Sequence, residues 1–120
     1  MRLTHVHPLA EEGEPALADA APDRVLAGSG TAKVWNAFTG ENGRFSAGIW
    51  QAQPGVLSVS YTETELCVLL EGRVRLSSDE GSVEYEEGDA FVIDAGFRGT
   101  WESIGRVTKI YAILEPEVGA

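Results

Sequence analysis

From Thr31 onward, short stretches rich in Val, Ile, Tyr, Trp and Phe alternate with clusters of Gly, Pro and Asp. This alternation is typical of an all-β domain, in which short strands are joined by tight turns. No segment carries the longer helical pattern that would connect parallel strands. The pattern predicts strands at residues 32–38, 45–53, 57–61, 65–70, 73–77, 82–86, 90–94, 99–103 and 108–114. So many short strands in so short a chain favour a sandwich or a small barrel.

The predicted strands are separated by turns that contain glycine, which adopts positive φ at no steric cost. Two of these predicted turns are Glu71-Gly72 and Ile104-Gly105. Each of them interrupts what would otherwise be one long apolar stretch. We therefore predict two separate strands on either side of each glycine.

Residues 1–30 show neither a period of two nor a helical stripe. The segment 10–24 mixes five acidic residues with Ala and two Pro. We predict an extended, loosely ordered N-terminal arm over residues 1–30, lying across the surface of a single domain at residues 31–120.

Two predicted strands are apolar on both faces, at residues 66–70 and 108–114. A strand of this kind is buried on both sides, under the core on one face and under another layer on the other. A chain of 120 residues has little material to cover both faces of a sheet. We therefore predict a homodimer in which a second copy supplies the cover.

Charge and cysteine content limit the possible partners. Nine basic against nineteen acidic residues give a net charge of −10, which argues against nucleic acid and against an anionic membrane surface. No stretch approaches the length of a membrane span. Cys67 is the single cysteine, so no internal disulfide is possible. The first residues open no apolar signal region, and together these features predict a cytoplasmic protein.

Two segments together carry a family resemblance. Residues 65–72 read ELCVLLEG, and residues 88–96 read GDAFVIDAG after a gap of 15 residues. This pair resembles the two signature motifs of the cupin superfamily over about residues 45–115. The resemblance implies an all-β cupin fold, the RmlC-like jelly-roll β-barrel. The finer texture at residues 61–65, 96–102 and 109–111 is similar to small cupins related to the cupin domain of (S)-ureidoglycine aminohydrolase.

The metal ligands of cupins are where this chain departs from the pattern. Metal-binding members use two His in an H-x-H motif, a Glu and a third His. The resemblance puts Val59 and Tyr61 at the H-x-H positions, Glu65 at the Glu position and Gly99 at the third His position. One carboxylate among these residues cannot hold a catalytic divalent ion tightly. We therefore expect no metal and no other cofactor in the barrel.

The same alignment selects candidate pocket residues. In the cupin register Glu65 points into the barrel. It is either a functional group, as a general base or as a hydrogen-bond acceptor for a ligand, or one half of a buried structural ion pair with Lys109. Cys67 shares the strand parity of Glu65, and free cysteine mostly packs as a small hydrophobe. Tyr61 and Trp101 either line the pocket or belong to the core, and Trp50 is a weaker candidate of the same kind.

The sequence is compatible with three classes of function. The chain binds a small-molecule ligand in a metal-free pocket, or it is an enzyme on a small nitrogenous metabolite, or it is a structural dimer with a vestigial pocket. His5 and His7 form an H-x-H pair in the arm, which is either an incidental pair or a weak metal site.

Overall fold

The computed structural model describes residues 3–117. This part of the chain is built from strands, with one three-residue 3-10 turn at Pro22–Arg24. The strands are β1 (Ala16–Asp19), β2 (Val25–Ala27), β3 (Thr31–Thr39), β4 (Phe45–Ala52), β5 (Gly55–Ser60), β6 (Thr64–Ser78), β7 (Gly81–Glu86), β8 (Ala90–Ile93) and β9 (Arg98–Leu114). The prediction of an all-β fold is confirmed. Within residues 3–117 no helix is long and apolar enough to cross a membrane.

All strand pairs are antiparallel, and β9 lies at their centre. Its C-terminal half pairs with β4, from Leu114 opposite Phe45 to Val107 opposite Ala52. Its N-terminal half pairs with β5, and its other edge pairs with β6. One edge of β9 pairs with β4 and then with β5, and the sheet curls around it. β6 continues the sheet to β7 and β8, and the inner faces enclose the core.

β6 and β9 are each one long, bent strand where the sequence predicted two. The predicted turns at Glu71-Gly72 and Ile104-Gly105 are wrong, because both glycines lie inside strands. Gly72 has a φ of +88° and Gly105 a φ of +75°. The register between β6 and β9 shifts between Leu69 and Arg73. The glycines therefore bend the two strands together without ending them.

The arm differs from the loosely ordered segment that the sequence predicts. β1 pairs with β3, and β2 pairs with β5, so both strands extend the sheet at its edges. The indole Nε1 of Trp35 donates to the carbonyl of Gly13 at 3.0 Å, and Gln51 Nε2 donates to Glu11 Oε1 at 3.2 Å. The edge strands of the sheet have unpaired backbone N–H and C=O groups, and the arm forms hydrogen bonds with them. The residue pattern within the arm does not reveal this pairing. The division at residues 30 and 31 stays a prediction.

The outer face of β6, β8 and β9 carries a run of apolar side chains, which we call the outer patch. Its members are Leu66, Val68, Leu70, Ile110 and Val92. Strand pairing places them side by side, since Val68 lies opposite Ile110 and Leu66 opposite Val92. Leu66, Leu70 and Val92 are exposed within the single chain.

Candidate functional site

The inner face of the barrel encloses a cavity of about 330 Å³, which we call the inner cavity. Strands β3, β4, β5, β6 and β9 and the connection from β5 to β6 supply its walls. Its lining includes Trp50, Val59, Tyr61, Glu65, Trp101 and Lys109. The structure thus brings four of the five predicted pocket residues, Tyr61, Glu65, Trp101 and Lys109, into the lining of one cavity. Trp50, the weaker candidate, also lines the cavity.

Glu65 and Lys109 form an ion pair in the wall of this cavity. Lys109 Nζ donates to Glu65 Oε2 at 2.7 Å, and the two side chains are only 6% and 7% exposed, respectively. Glu65 lies on β6 opposite Ile113 of β9, so the Lys109 side chain reaches along the barrel to meet it. Two charges taken out of water at this distance stabilise each other, and neither is tolerated alone.

Two indole rings also contact the Lys109 ammonium. Nζ lies 4.7 Å from the centroid of the Trp50 ring and 4.2 Å from that of the Trp101 ring. Both contacts are within the range of cation–π attraction. Trp101 Nε1 donates to Ser103 Oγ at 3.0 Å, which fixes the orientation of that ring. The Lys109 head group is therefore held in place by a carboxylate and two aromatic faces.

Tyr61 is anchored by its backbone to the second cupin-like motif. Its N–H donates to the carbonyl of Phe97 at 2.9 Å, and the N–H of Gly96 donates to the carbonyl of Tyr61 at 2.7 Å. Burial, together with the nearby Glu65 carboxylate, raises the pKa of the Tyr61 phenol well above its ordinary value. The phenol therefore stays protonated and is able to donate a hydrogen bond.

Cys67 is the one predicted pocket residue that is not on the cavity wall. It is fully buried in the core beside the ion pair, with its Sγ 3.8 Å from Lys109 Nζ. Burial raises the pKa of its thiol to about 12, although the Lys109 charge opposes this rise. At neutral pH the side chain is a neutral thiol that packs as a small apolar group.

A second space, the outer lobe, adjoins the inner cavity and has a volume of about 340 Å³. It shares Tyr61 and Glu65 with the inner cavity and adds Arg24 and Glu63. Glu63 lies in the bend between β5 and β6, outside both strands. Arg24 comes from the 3-10 turn of the arm, and no sequence signal linked it to the barrel motifs.

The donor set at the cupin metal positions does not fit a divalent cation. Val59 and Gly99 offer no side-chain donor, and the Glu65 carboxylate already faces the Lys109 ammonium, which repels a metal ion. A Cβ atom on Gly99 would also collide with the backbone carbonyl oxygen of Ser77, so no histidine fits there. Across residues 3–117, no three His, Cys, Asp or Glu side chains are grouped as metal ligands.

The arm histidines lie away from the barrel cavity. The ring of His7 packs against that of Phe38 at an angle of 44°, with the centroids 4.8 Å apart, beside the groove between the arm and β3. Weak metal binding by His5 and His7 stays an untested alternative.

Comparison with known proteins gives a family match and several similar folds. Residues 39–111 match the family model described as the EutQ-like cupin domain. A Pseudomonas syringae pv. tomato protein of unknown function, from the DUF861 family, is 27% identical with a TM-score of 0.78. The alignment covers 88% of this chain and 46% of that one, so the chain spans about half of that protein's length.

Two further structures are similar at lower coverage or identity. A DUF861 family protein from Thermotoga maritima is 30% identical over 52% of this chain and 73% of its own, with a TM-score of 0.50. A putative ethanolamine utilization protein Q from Salmonella typhimurium shares the fold, with a TM-score of 0.63 at 16% identity, covering 84% and 95% of the two chains. No curated protein matches the chain.

Proposed function

The chain belongs to the EutQ-like cupin family, and from that membership and the cavity we propose that it binds a small organic ligand without a metal ion. The family match, the all-β fold and the similar structures establish a cupin-domain protein, but they assign no reaction. The support for a bound ligand is the set of residues that line the cavity.

One observation carries this proposal: a buried ion pair forms part of the wall of an otherwise largely apolar cavity. Lys109 contacts Oε2 of Glu65, and we propose that the same carboxylate accepts a hydrogen bond from the ligand. Concave, mostly apolar sites with a few convergent polar groups are where proteins bind small molecules. A purely structural ion pair would not need an adjoining cavity of about 330 Å³.

The aromatic side chains favour a ligand with a planar group. Trp50 and Trp101 meet edge to face with their centroids 5.6 Å apart, and Tyr61 lines the same cavity. A flat group packs against such rings over a large area with little loss of conformational entropy. A ligand that combines a planar group with an N–H donor therefore matches both the aromatic walls and the Glu65 acceptor.

Benzamide is a suitable first probe, since it is uncharged and carries a planar ring and an amide N–H₂ group. We expect it to raise the midpoint of thermal unfolding saturably, as a ligand of the native state does. The rise should disappear in Glu65→Gln and persist in Glu87→Gln, which changes an exposed glutamate on the turn before β8. Equal responses of the two variants would contradict the proposal.

The enzyme alternative has less support. It rests only on the resemblance of residues 61–65, 96–102 and 109–111 to small cupins of the ureidoglycine aminohydrolase type, which rely on a metal. The donor set around Glu65 does not fit a divalent cation here. Turnover of ureidoglycine in the presence of added manganese would nevertheless establish this activity and overturn the binding proposal.

We further propose that the protein is a homodimer, in which the outer patch of one copy covers that of the other. Leu66, Leu70 and Val92 are exposed and adjoin further apolar side chains on the same sheet face. A two-fold dimer buries such a self-complementary patch in both copies at once. The structural-dimer alternative predicts this assembly without any ligand, so the benzamide experiment separates the two.

A further inference from the structure

The inner cavity and the outer lobe share Tyr61 and Glu65, and we call the two together the cleft. We infer that the cleft binds a zwitterion of the amino-acid class with an apolar side chain, and that Arg24 of the arm binds its carboxylate. This inference rests on the proposed ligand binding and specifies the ligand. It assigns a binding role to the N-terminal arm, which lies outside the residues matched by the family model.

Arg24 reaches the outer lobe with its guanidinium largely uncommitted. Its Nη1 lies 3.5 Å from the carbonyl of Ser58, at the limit of a hydrogen bond. Within residues 3–117, no carboxylate lies within 4.0 Å of its side chain. By contrast, Arg73, Arg75 and Arg106 are each paired with a glutamate. A guanidinium with free donors is suited to bind a carboxylate through two parallel hydrogen bonds.

The 3-10 turn holds Arg24 at this position. The backbone N–H of Arg24 donates to the carbonyl of Ala21 at 2.8 Å, and Pro22 restricts the turn further. Val25, the next residue, begins β2 and pairs with Leu57 of β5, a residue that lines both spaces. The arm is therefore fastened to the barrel directly beside the cleft.

The charges of the cleft sum to zero but are separated. Glu65 and Lys109 neutralise each other inside the barrel. Arg24 and Glu63 remain on the outer lobe as a positive and a negative group that do not form an ion pair with each other. Glu63 is itself oriented, because its Oε1 accepts a hydrogen bond from the N–H of Thr62 at 3.0 Å.

A ligand with one carboxylate and one ammonium group satisfies both free charges. A ligand with a single charge leaves either Arg24 or Glu63 without a partner and gains less from binding. The apolar side chain of the zwitterion then extends past Tyr61 into the inner cavity, toward Trp50 and Trp101.

Three matched probes test this inference: phenylalanine, phenethylamine, which lacks the carboxylate, and 3-phenylpropionate, which lacks the ammonium. By isothermal titration, the wild-type chain should bind phenylalanine about tenfold more tightly than either analogue. Arg24→Gln should reduce phenylalanine affinity to that of phenethylamine while leaving phenethylamine and benzamide unchanged. Arg73→Gln, on the distant β6–β7 face, is the control and should change nothing.

The outcomes separate this inference from the proposed function. If benzamide binds but phenylalanine binds no better than its analogues, the zwitterion inference is overturned and the binding function stands. The same holds if Arg24→Gln retains the preference for phenylalanine. If neither benzamide nor any of the three probes binds, the proposed function fails and the inference fails with it.

Discussion

At the scale of single residues, the Glu65–Lys109 pair connects the cavity to the stability of the barrel. Removing one charge leaves the other buried without a partner, at a cost of about 3–5 kcal/mol. We expect Glu65→Gln to lower the free energy of unfolding by an amount in this range. The double variant Glu65→Gln/Lys109→Met should recover most of the loss, because no unpaired charge remains.

Urea denaturation measures both variants, with Glu87→Gln as the control. That exposed glutamate should contribute no more than about 0.5 kcal/mol in either direction. If the double variant is as unstable as Glu65→Gln, packing around these side chains, and not their charge, determines the stability.

The raised pKa values of Cys67 and Tyr61 lead us to expect a loss of stability at alkaline pH. The pKa of Cys67 rises from its ordinary 9.0 to about 12 in the fold, and that of Tyr61 also rises. Above about pH 9 the unfolded chain releases protons that the folded chain retains, so the free energy of unfolding falls. Each group contributes a slope of up to about 1.4 kcal/mol per pH unit.

Chemical denaturation at several pH values tests this effect. Between pH 9 and 10 the thiol titrates in the unfolded chain before the phenol does, so Cys67→Ala should flatten the slope in this interval. Its absolute stability is not the readout, since the alanine also leaves a small cavity. An unchanged slope in Cys67→Ala would mean that the thiol is not the group responsible.

At the scale of the elements, the bend shared by β6 and β9 depends on Gly72. A Cβ atom there would collide with the backbone carbonyl oxygen of Arg106 while the residue keeps a φ of +88°. Gly105 has a similar φ of +75°, but a Cβ atom there has nothing within 4 Å. We expect Gly105→Ala to cost about 1–2 kcal/mol from backbone strain alone, and Gly72→Ala to cost clearly more.

The two denaturation midpoints, measured under the same conditions, check this prediction. Equal costs would show that the strands adjust their spacing at Gly72, and that backbone strain accounts for the whole effect at both glycines.

The strands were predictable where alternation and apolar content are strong, as in β3, β4 and β8. The sequence could not tell a turn from a bend at Gly72, because positive φ is common to both. The difference comes from β9, which pairs with β6 on both sides of that glycine. The prediction missed β1 and β2 for a related reason. Each of them pairs with a strand outside the arm, so the residues of the arm alone do not indicate the pairing.

The site was predictable only in part. Strand parity and the cupin register selected Glu65, Lys109, Tyr61 and Trp101, which all line the inner cavity. The same parity selected Cys67, which instead lies in the core beside the cavity. Strand parity gives the face on which a side chain lies, but not its depth in the barrel. Arg24 reaches the cleft through the path of the arm, and no local pattern in the sequence determines that path.

At the scale of the whole molecule, the outer patch predicts how the dimer can be broken. Leu70 is 40% exposed in the single chain and, in the proposed dimer, becomes buried against the second copy. We expect Leu70→Glu to give a monomer, because the charge would have to be buried without a partner. Val83→Glu, at a site on β7 that is 45% exposed, should leave the dimer intact.

Light scattering coupled to size-exclusion chromatography distinguishes the two masses at micromolar concentration. A monomeric wild-type chain, or a monomer produced equally by both substitutions, would contradict this interface.

The central position of β9 also affects the protein while it is being made. β4, β5 and β6 all leave the ribosome before residues 98–114, with which each of them pairs. Until then, the nascent chain exposes apolar strand edges that no local hairpin can cover, and such edges pair readily with other chains. A translation product that stops before residue 98 therefore lacks the shared neighbour of three strands, and we expect it to aggregate or be degraded instead of forming a smaller barrel.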